Sequence, residues 1–304
     1  MTAAPALIQT ENLEKRFRGG VQALNGLSLE VTEGSVYGLI GPNGAGKSTT
    51  LKILMNIIHP TSGTAGVMGT DCERLGPSDF TRIGYVSENQ KLPDWMTSDY
   101  LLEYLKPFYP DWDDTRAAEL MTQFNLPGDR KLKHLSRGMF MKAALVSSLA
   151  YHPRLLVLDE PFTGLDPMVR EDLIESLVEC ADETTILISS HDLADIESFA
   201  SHIGYLDEGR LQFSEEMTSL TERFREVEVI MDTEATIPES GWPDTWLRPQ
   251  AADAVVRFVE TDFNETRTPN DVRRVFDSVA SVSVNAMPLR AIFVTLARDA
   301  IGRN

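Results

Sequence analysis

The sequence is poor in cysteine and contains no long apolar run. Cys72 and Cys180 are the two cysteines among 304 residues, and they match no spacing typical of metal ligands. Their separation favours reduced, structural thiols over a disulfide framework. No apolar segment approaches the roughly 18 residues that a membrane-spanning helix needs. The first residues lack a basic start followed by an apolar stretch, so we expect no signal peptide.

Basic residues are also scarce. The chain has 28 Lys and Arg against 46 Asp and Glu, which gives a formal net charge of -18. Because phosphate backbones select basic surfaces, we expect no nucleic-acid partner. The short cluster of Lys15, Arg16 and Arg18 is typical of a solvated face. What the chain does contain is 42% hydrophobic residues, the proportion of an ordinary globular protein.

Short apolar runs alternate with helical patterns up to about residue 220. Residues 6–33 predict short strands, and residues 35–40 predict a buried strand. A helix is predicted over residues 47–58, ended by His59-Pro60. Further strands are predicted at residues 83–86, 155–158 and 185–188, and further helices at residues 100–105, 113–124 and 137–150. This alternation predicts an α/β fold with a mainly parallel sheet covered on both faces.

The pattern changes beyond about residue 220. Residues 227–231, 254–260 and 282–285 predict strands, and residues 269–279 predict a helix. Several prolines interrupt the stretch between the first two strands. We therefore read residues 222–304 as a small α+β accessory domain that follows a larger domain over residues 1–221.

A glycine-rich loop, GPNGAGKST, follows the strand predicted at residues 35–40 and fits the pattern GxxxxGK[ST]. Its glycines let successive backbone N–H groups point at phosphate oxygens, and the next helix directs its positive end to the same place. Lys47 should contact the β- and γ-phosphates of ATP, and the Ser48 hydroxyl should ligate Mg²⁺. The loop residues expected to bind the nucleotide are Gly41, Asn43, Gly44, Ala45, Gly46, Lys47, Ser48 and Thr49.

The segment LLVLDE at residues 155–160 ends a predicted strand in two acids. Asp159 is placed to hold Mg²⁺, and Glu160 is placed to polarise the water that attacks the phosphate. Many strand ends look like this, so the segment is weak evidence by itself. Together with the phosphate loop it predicts phosphoryl transfer, which needs both ends of this clamp.

Three further segments resemble those of one family. Residues 135–139 read LSRGM, which is similar to the LSGGQ signature of ABC ATPases. Ser136 can cap the helix that follows, and Gly138 allows a close backbone approach to a phosphate. The sequence GLDP, which contains Asp166, resembles the D-loop of that family. His191, at the end of a predicted strand, resembles its switch histidine.

The resemblance covers about residues 6–220. It implies a P-loop NTPase of ABC type, with a parallel sheet core, N-terminal antiparallel strands and a helical subdomain at about residues 91–152. It also implies two ATP molecules in a head-to-tail dimer, in which Ser136 and Gly138 contact the nucleotide held by the other subunit. Asp166 of the D-loop is expected to be a further nucleotide-binding residue.

Two further site residues follow from the same resemblance. His191 is expected to donate a hydrogen bond to the γ-phosphate. Phe17 matches the aromatic residue that stacks on adenine, although an aromatic residue near a first strand is also often part of a core.

Two positions depart from the family pattern. The glutamine that the family has after the strand at residues 83–86 is here Glu88, with Gln90 two residues later. We expect Glu88, and not Gln90, to take this role, as a ligand for Mg²⁺ or a catalytic water. In the signature, Arg137 and Met139 replace a glycine and a glutamine. Arg137 either attracts ATP phosphates or faces water.

The resemblance implies an ATP-hydrolysing subunit that works on the cytoplasmic face of a membrane. Its partners would be a separate transmembrane permease and an identical or paralogous ATPase. The aromatic stretch at residues 92–108 is either core or part of a permease groove, lined by Trp95, Met96 or Tyr100.

Residues 288–298 resemble the terminal segment of bacterial exporter ATPases, which favours export of drugs, antibiotics or lipids. An importer whose C-terminal domain senses metabolites is an alternative. A non-transport ABC protein acting on ribosomes or DNA is disfavoured, since the chain is acidic and has neither a second ATPase domain nor a long coiled coil.

Overall fold

The computed structural model describes residues 5–88, 90–181, 183–237 and 241–302, and it divides into two compact units. The first unit is Met1–Ser214 and the second is Glu215–Asn304. The boundary expected at residues 221/222 lies inside a helix of the second unit, Met217–Arg223. No helix among the described residues is both long enough and apolar enough to cross a membrane.

The secondary structure up to residue 216 alternates as the sequence predicts. The strands are β1 (Ala6–Arg16), β2 (Gln22–Thr32), β3 (Val36–Ile40), β4 (Ser62–Val67), β5 (Thr70–Asp71), β6 (Ile83–Ser87), β7 (Leu155–Asp159), β8 (Thr185–Ser190), β9 (His202–Asp207) and β10 (Arg210–Glu216). The helices are α1 (Lys47–Leu54), α2 (Pro77–Phe80), α3 (Ser98–Leu105), α4 (Asp114–Gln123), α5 (Arg137–Leu149) and α6 (Pro167–Cys180).

Two sheets organise this unit. An antiparallel sheet has the strand order β2-β1-β4-β5, and a six-stranded sheet has the order β10-β9-β3-β8-β7-β6. Strands β9, β3, β8, β7 and β6 are parallel, which confirms the predicted architecture. Every residue of β3, β7 and β8 is buried, as expected for central parallel strands. Because parallel strands end at one edge, the segments that follow β3, β7 and β8 meet there.

The helices of residues 91–152 begin at capping side chains. Thr97 Oγ1 accepts a hydrogen bond from the backbone N–H of Tyr100, and Asp113 Oδ1 accepts one from the N–H of Thr115. Ser136 Oγ accepts the N–H of Met139 at 3.2 Å and caps α5, which confirms the predicted cap. The three helices predicted here are present as α3, α4 and α5.

Helix α1 is shorter than predicted, because it ends at Leu54 and not at residue 58. Asn56 adopts a left-handed backbone conformation with φ of 53°, and the N–H of Ile57 donates to the carbonyl of Lys52 at 2.9 Å. This closing turn satisfies carbonyl groups at the end of the helix. The chain therefore leaves the helix before it reaches His59-Pro60.

The second unit is a small α+β domain. Its strands are β11 (Arg225–Met231), β12 (Trp246–Ala252), β13 (Val255–Glu260) and β14 (Val279–Ala286), in the antiparallel order β12-β13-β11-β14. Its helices are α7 (Met217–Arg223), α8 (Arg267–Val275) and α9 (Leu289–Gly302). Trp246 stacks on Phe258 with ring centroids 4.1 Å apart, and its indole N–H donates to buried Glu260 at 2.8 Å. This aromatic cluster is the core of the domain.

The second unit differs from the sequence prediction at two places. Strand β12 contains Pro249 and was not predicted, but it lies at the sheet edge, where a missing N–H is tolerated. The helix predicted over residues 269–279 ends at Val275, because Phe276 is extended and its ring packs into the core. The chain then enters β14 at Val279, which pairs with Met231.

Candidate nucleotide-binding site

A cavity of about 540 Å³ opens where β3, β7 and β8 end. Segments far apart in sequence line it, and most of them carry residues that the motifs predict. The lining residues are Phe17, Val21, Ala23, Asn43, Gly44, Gly46, Lys47, Ser48, Thr49, Glu88, Glu160, Thr163 and His191. The fold therefore brings the phosphate loop, Glu88, Glu160 and His191 together.

The phosphate loop is packed so tightly that two of its glycines admit no side chain. A Cβ atom on Gly41 would lie 2.0 Å from the carbonyl oxygen of Leu206. Gly46 has φ of 111°, and a Cβ there would lie 2.5 Å from the carbonyl oxygen of Ala23. Gly41 and buried Ala45 do not line the cavity; they support the loop from beneath. The loop conformation is thus set by close backbone packing.

Lys47 lines the cavity and is only 5% exposed. Its Nζ donates to the carbonyl oxygens of Gly41 at 2.6 Å and Pro42 at 3.2 Å. Nζ also lies 3.0 Å from Glu160 Oε1. A buried cation with these partners is a donor held ready for an anion in the cavity.

Two hydroxyl groups converge on one carboxylate oxygen at the end of β7. Ser48 Oγ and Ser189 Oγ each donate to Asp159 Oδ1 at 2.8 Å. Ser48 and Asp159 thus offer two neighbouring oxygen ligands of the hard type that Mg²⁺ prefers. No group of three or more His, Cys, Asp or Glu that could hold a metal is found in the described part of the chain.

Glu160 combines a strained backbone with a shared carboxylate. Its φ is 52°, a left-handed conformation, and its backbone N–H donates to Ser189 Oγ at 3.0 Å. Its Oε2 accepts from Thr163 Oγ1 at 3.1 Å and lies 2.7 Å from His191 Nδ1. Burial would raise the pKa of Glu160, but hydrogen bonds from His191 and Lys47 outweigh burial and lower it. The carboxylate is therefore held ionised beside the phosphate loop.

Glu88 and Gln90 differ in where they point. The N–H of Glu88 donates to the carbonyl oxygen of Asp159 at 2.9 Å, and the residue lines the cavity. Gln90 Oε1 accepts from the N–H of Ser87 at 3.4 Å, so its amide turns back onto its own loop. The two alternatives stated for Arg137 did not include its observed partner, since its Nη2 donates to Glu88 Oε1 at 2.6 Å.

Ser136, Gly138 and Asp166 do not line this cavity. Ser136 and Asp166 are exposed and cap α5 and α6. Gly138 is buried, and a Cβ there would lie 2.6 Å from Val169 Cγ1. These three residues are therefore built into the start of α5 and α6 and are not part of the cavity lining of their own chain.

Four side chains near the site were missed in the sequence. Val21 and Ala23 line the cavity beside Phe17, and only the folding of β1 onto β2 places them there. Thr163 Oγ1 donates a hydrogen bond to Glu160, and Ser189 Oγ donates one to Asp159. Both residues stand within or beside motifs recognised in the sequence. Their hydroxyl groups stand close in sequence to Glu160 and His191, and this proximity could have identified them as site residues.

Comparisons with known proteins agree with this geometry. Residues 24–163 match the family described as ABC transporter. The ABC transporter ATP-binding protein YtrB of Bacillus subtilis is 34% identical over 233 residues, which is 76% of this chain and 79% of that protein. The Nod factor export ATP-binding protein I of Burkholderia orbicola is 38% identical over 216 residues, 69% of this chain and 70% of that protein.

A solved dimeric structure of a bacterial ABC transporter cassette is 25% identical, with a TM-score of 0.63. The alignment covers 69% of this chain and 98% of the cassette. The fold and the phosphate-loop cavity define a P-loop ATPase. The chain belongs to the ABC transporter family, of which it is an ATP-binding and ATP-hydrolysing subunit.

Proposed function

We propose that this chain binds ATP with Mg²⁺ in the cavity and hydrolyses it to drive export through a separate membrane permease. The convergence of Lys47, Ser48, Asp159 and Glu160 at one sheet edge carries the proposal. Lys47 binds the β- and γ-phosphates, while Ser48 and Asp159 hold Mg²⁺. When bound, Mg²⁺ neutralises charge on the transferred phosphate. Phe17, which is 42% exposed at the cavity wall, stacks on adenine.

The proton chemistry belongs to Glu160 and His191. Glu160 is kept ionised by its lowered pKa, so it can accept a proton from the attacking water. Since a carboxylate only accepts, His191 Nδ1 carries the proton of their 2.7 Å contact. His191 is thereby oriented with Nε2 free for the γ-phosphate, to which it donates when the ring is doubly protonated. Glu88 assists at the metal or at the catalytic water.

A head-to-tail dimer completes the site. Ser136, Gly138 and Asp166 lie outside the cavity of their own chain, and Ser136 and Asp166 are exposed, as contact across a dimer requires. A relative of this fold is solved as a dimer, which also supports this arrangement. The partner is a second copy of this chain or a paralogous ATPase.

Exposed aromatic side chains support the permease contact. Trp95 and Tyr100 are 58% and 51% exposed, with ring centroids 5.6 Å apart. Met96 was also expected here, but it is buried and belongs to the core. Adjacent exposed aromatic rings are typical of a protein interface. We assign Trp95 and Tyr100 to a groove for the permease, with the chain on the cytoplasmic face of the membrane.

Export is favoured by the relative that is named for Nod factor export. The exporter-like segment at residues 288–298 falls within or next to α9 of the second unit. We treat the second unit, Glu215–Asn304, as an accessory domain of the transporter.

The test is to purify the chain together with the membrane subunit encoded by the neighbouring gene and to measure ATP hydrolysis in liposomes. We expect ATP hydrolysis to be stimulated by that subunit. The paired change Trp95→Ala and Tyr100→Ala should weaken both the association with the subunit and this stimulation. Ile57→Ala with Val178→Ala, which also removes exposed apolar side chains, is the matched control. Unchanged association after the Trp95 and Tyr100 changes would refute the groove, and a chain that never binds ATP would refute the function.

A further inference from the structure

The signature arginine and the acid that replaces the expected glutamine form an ion pair. Arg137 Nη2 lies 2.6 Å from Glu88 Oε1, with side chains 47% and 31% exposed. The guanidinium also covers Gly164, where a Cβ would lie 2.7 Å from Arg137 Nη1. Arg137 therefore contacts both the loop that follows β6 and the loop that precedes α6.

The helix explains why this arginine needs a carboxylate. Arg137 is the first residue of α5, after the capping Ser136. A positive charge at a helix N-terminus is disfavoured by the helix dipole, whereas a negative charge is favoured. Glu88 brings its carboxylate to this position, where its negative charge neutralises Arg137 and interacts favourably with the helix dipole. Each departure from the family pattern thus supplies the partner that the other one requires.

Glu88 also faces the cavity. Its backbone is tied to the end of β7, because its N–H donates to the carbonyl oxygen of Asp159. Its side chain lines the same cavity as Ser48 and Lys47. A cation bound at Ser48 and Asp159 would therefore compete with Arg137 for one carboxylate, since both cations attract it.

We propose that Arg137 is a positioning residue that holds Glu88 beside α5 and competes with the metal ion of the nucleotide for it. The inference rests on the proposed function, because it requires the cavity to bind ATP with Mg²⁺. With a metal ion held at Ser48 and Asp159, Glu88 would be drawn away from Arg137, and the guanidinium next to Ser136 would lose its partner. The pair thereby links the metal site to the surface that carries the signature.

The experiment measures binding of a fluorescent ATP analogue while Mg²⁺ is titrated. Arg137→Ala should lower the half-saturating Mg²⁺ concentration by about two- to fivefold, the range of a partly exposed ion pair. In a Glu88→Gln background the same change should have no effect. Lys133→Ala, which removes an exposed cation of the same region, is the control. About 0.5 M NaCl should reduce the effect of Arg137→Ala, because salt screens exposed charges.

A second measurement needs neither metal nor nucleotide. In thermal unfolding with EDTA, Arg137→Ala and Glu88→Gln should each lower the Tm, and the double variant should lower it no further than either one. Arg137→Lys keeps the charge but loses the planar guanidinium, so its half-saturating Mg²⁺ concentration should lie between those of the unaltered chain and Arg137→Ala. This variant also tests the pairing if Arg137→Ala folds poorly.

The pairing would be overturned if Arg137→Ala had the same effect with Glu or with Gln at position 88. Arg137 would then act on phosphate directly. Additive Tm losses would overturn it as well. Absence of ATP binding by the unaltered chain would instead refute the proposed function.

Discussion

Lys47 Nζ and Glu160 Oε1 lie 3.0 Å apart beneath the phosphate loop. The residue proposed to bind phosphates and the residue proposed to activate water thus neutralise each other, and both are buried. An incoming phosphate must compete with Glu160 for Lys47. Under the proposed function, nucleotide binding is therefore expected to release the Glu160 carboxylate from Lys47.

Replacing Lys47 should strongly weaken ATP binding. Lys47→Ala removes the buried donor of the loop, and a charge-assisted hydrogen bond contributes about 1.5–3 kcal/mol, so affinity should fall by roughly a hundredfold. Titration of a fluorescent ATP analogue measures this change. Lys52→Ala, an exposed lysine of α1, should bind normally. Full affinity in Lys47→Ala would contradict the phosphate-loop assignment.

Removing the charge of Glu160 should stop hydrolysis while ATP binding continues. Glu160→Gln cannot accept the proton of the attacking water, so turnover should fall about a hundredfold or more. An ATP-bound dimer should accumulate and elute earlier in size-exclusion chromatography. Glu30→Gln, an exposed acid on β2, is the control. Normal turnover in Glu160→Gln would exclude Glu160 as the base.

The lowered pKa of Glu160 predicts a pH-dependent stability. A carboxylate whose pKa in the folded state lies below its ordinary value of 4.5 stabilises the fold fully above that pH, and loses this as the pH falls through the folded value. Urea unfolding should show the unaltered chain about 1 kcal/mol more stable than Glu160→Gln between about pH 5 and 7. The difference should shrink below about pH 4.5; a difference that grows there would contradict the lowered pKa.

Ser136 should matter for hydrolysis more than for nucleotide affinity. Ser136→Ala leaves the cavity of its own chain intact, so the monomer should bind ATP almost normally while ATPase activity falls. Loss of the cap should also cost about 1 kcal/mol in the free energy of unfolding. Ser136→Asn keeps a capping oxygen and separates the two effects. An undiminished rate in Ser136→Ala would argue that the site is not shared across a dimer.

We expect Gly138 to be required for the packing of α5 against α6, independently of any contact with phosphate. A methyl group at Gly138 would lie 2.6 Å from Val169 Cγ1, so Gly138→Ala should destabilise the fold by about 1–3 kcal/mol. Val169→Ala in the same chain should recover most of that loss. Chemical denaturation of both single variants and the double variant measures the coupling. Absence of rescue would mean that another contact limits this position.

Local features were predictable because they depend on neighbours along the chain. The phosphate loop, the cap at Ser136 and the buried strands β3, β7 and β8 follow from a few consecutive residues. The end of α1 and the edge strand β12 were not predicted. Asn56 ends the first by a left-handed turn, and Pro249 is tolerated in the second by its edge position. Both depend on backbone conformation and pairing that residue patterns do not specify.

The sequence by itself determined the class of chemistry, because Lys47, Ser48, Asp159 and Glu160 stand in motifs whose spacing specifies a phosphate cradle and a metal clamp. Only the tertiary structure decided how the charges are paired. Arg137 and Glu88 are 49 positions apart, and their contact at 2.6 Å arises from the packing of α5 against the end of β6. Electrostatic partners are selected by distance in space, which the chain order does not contain.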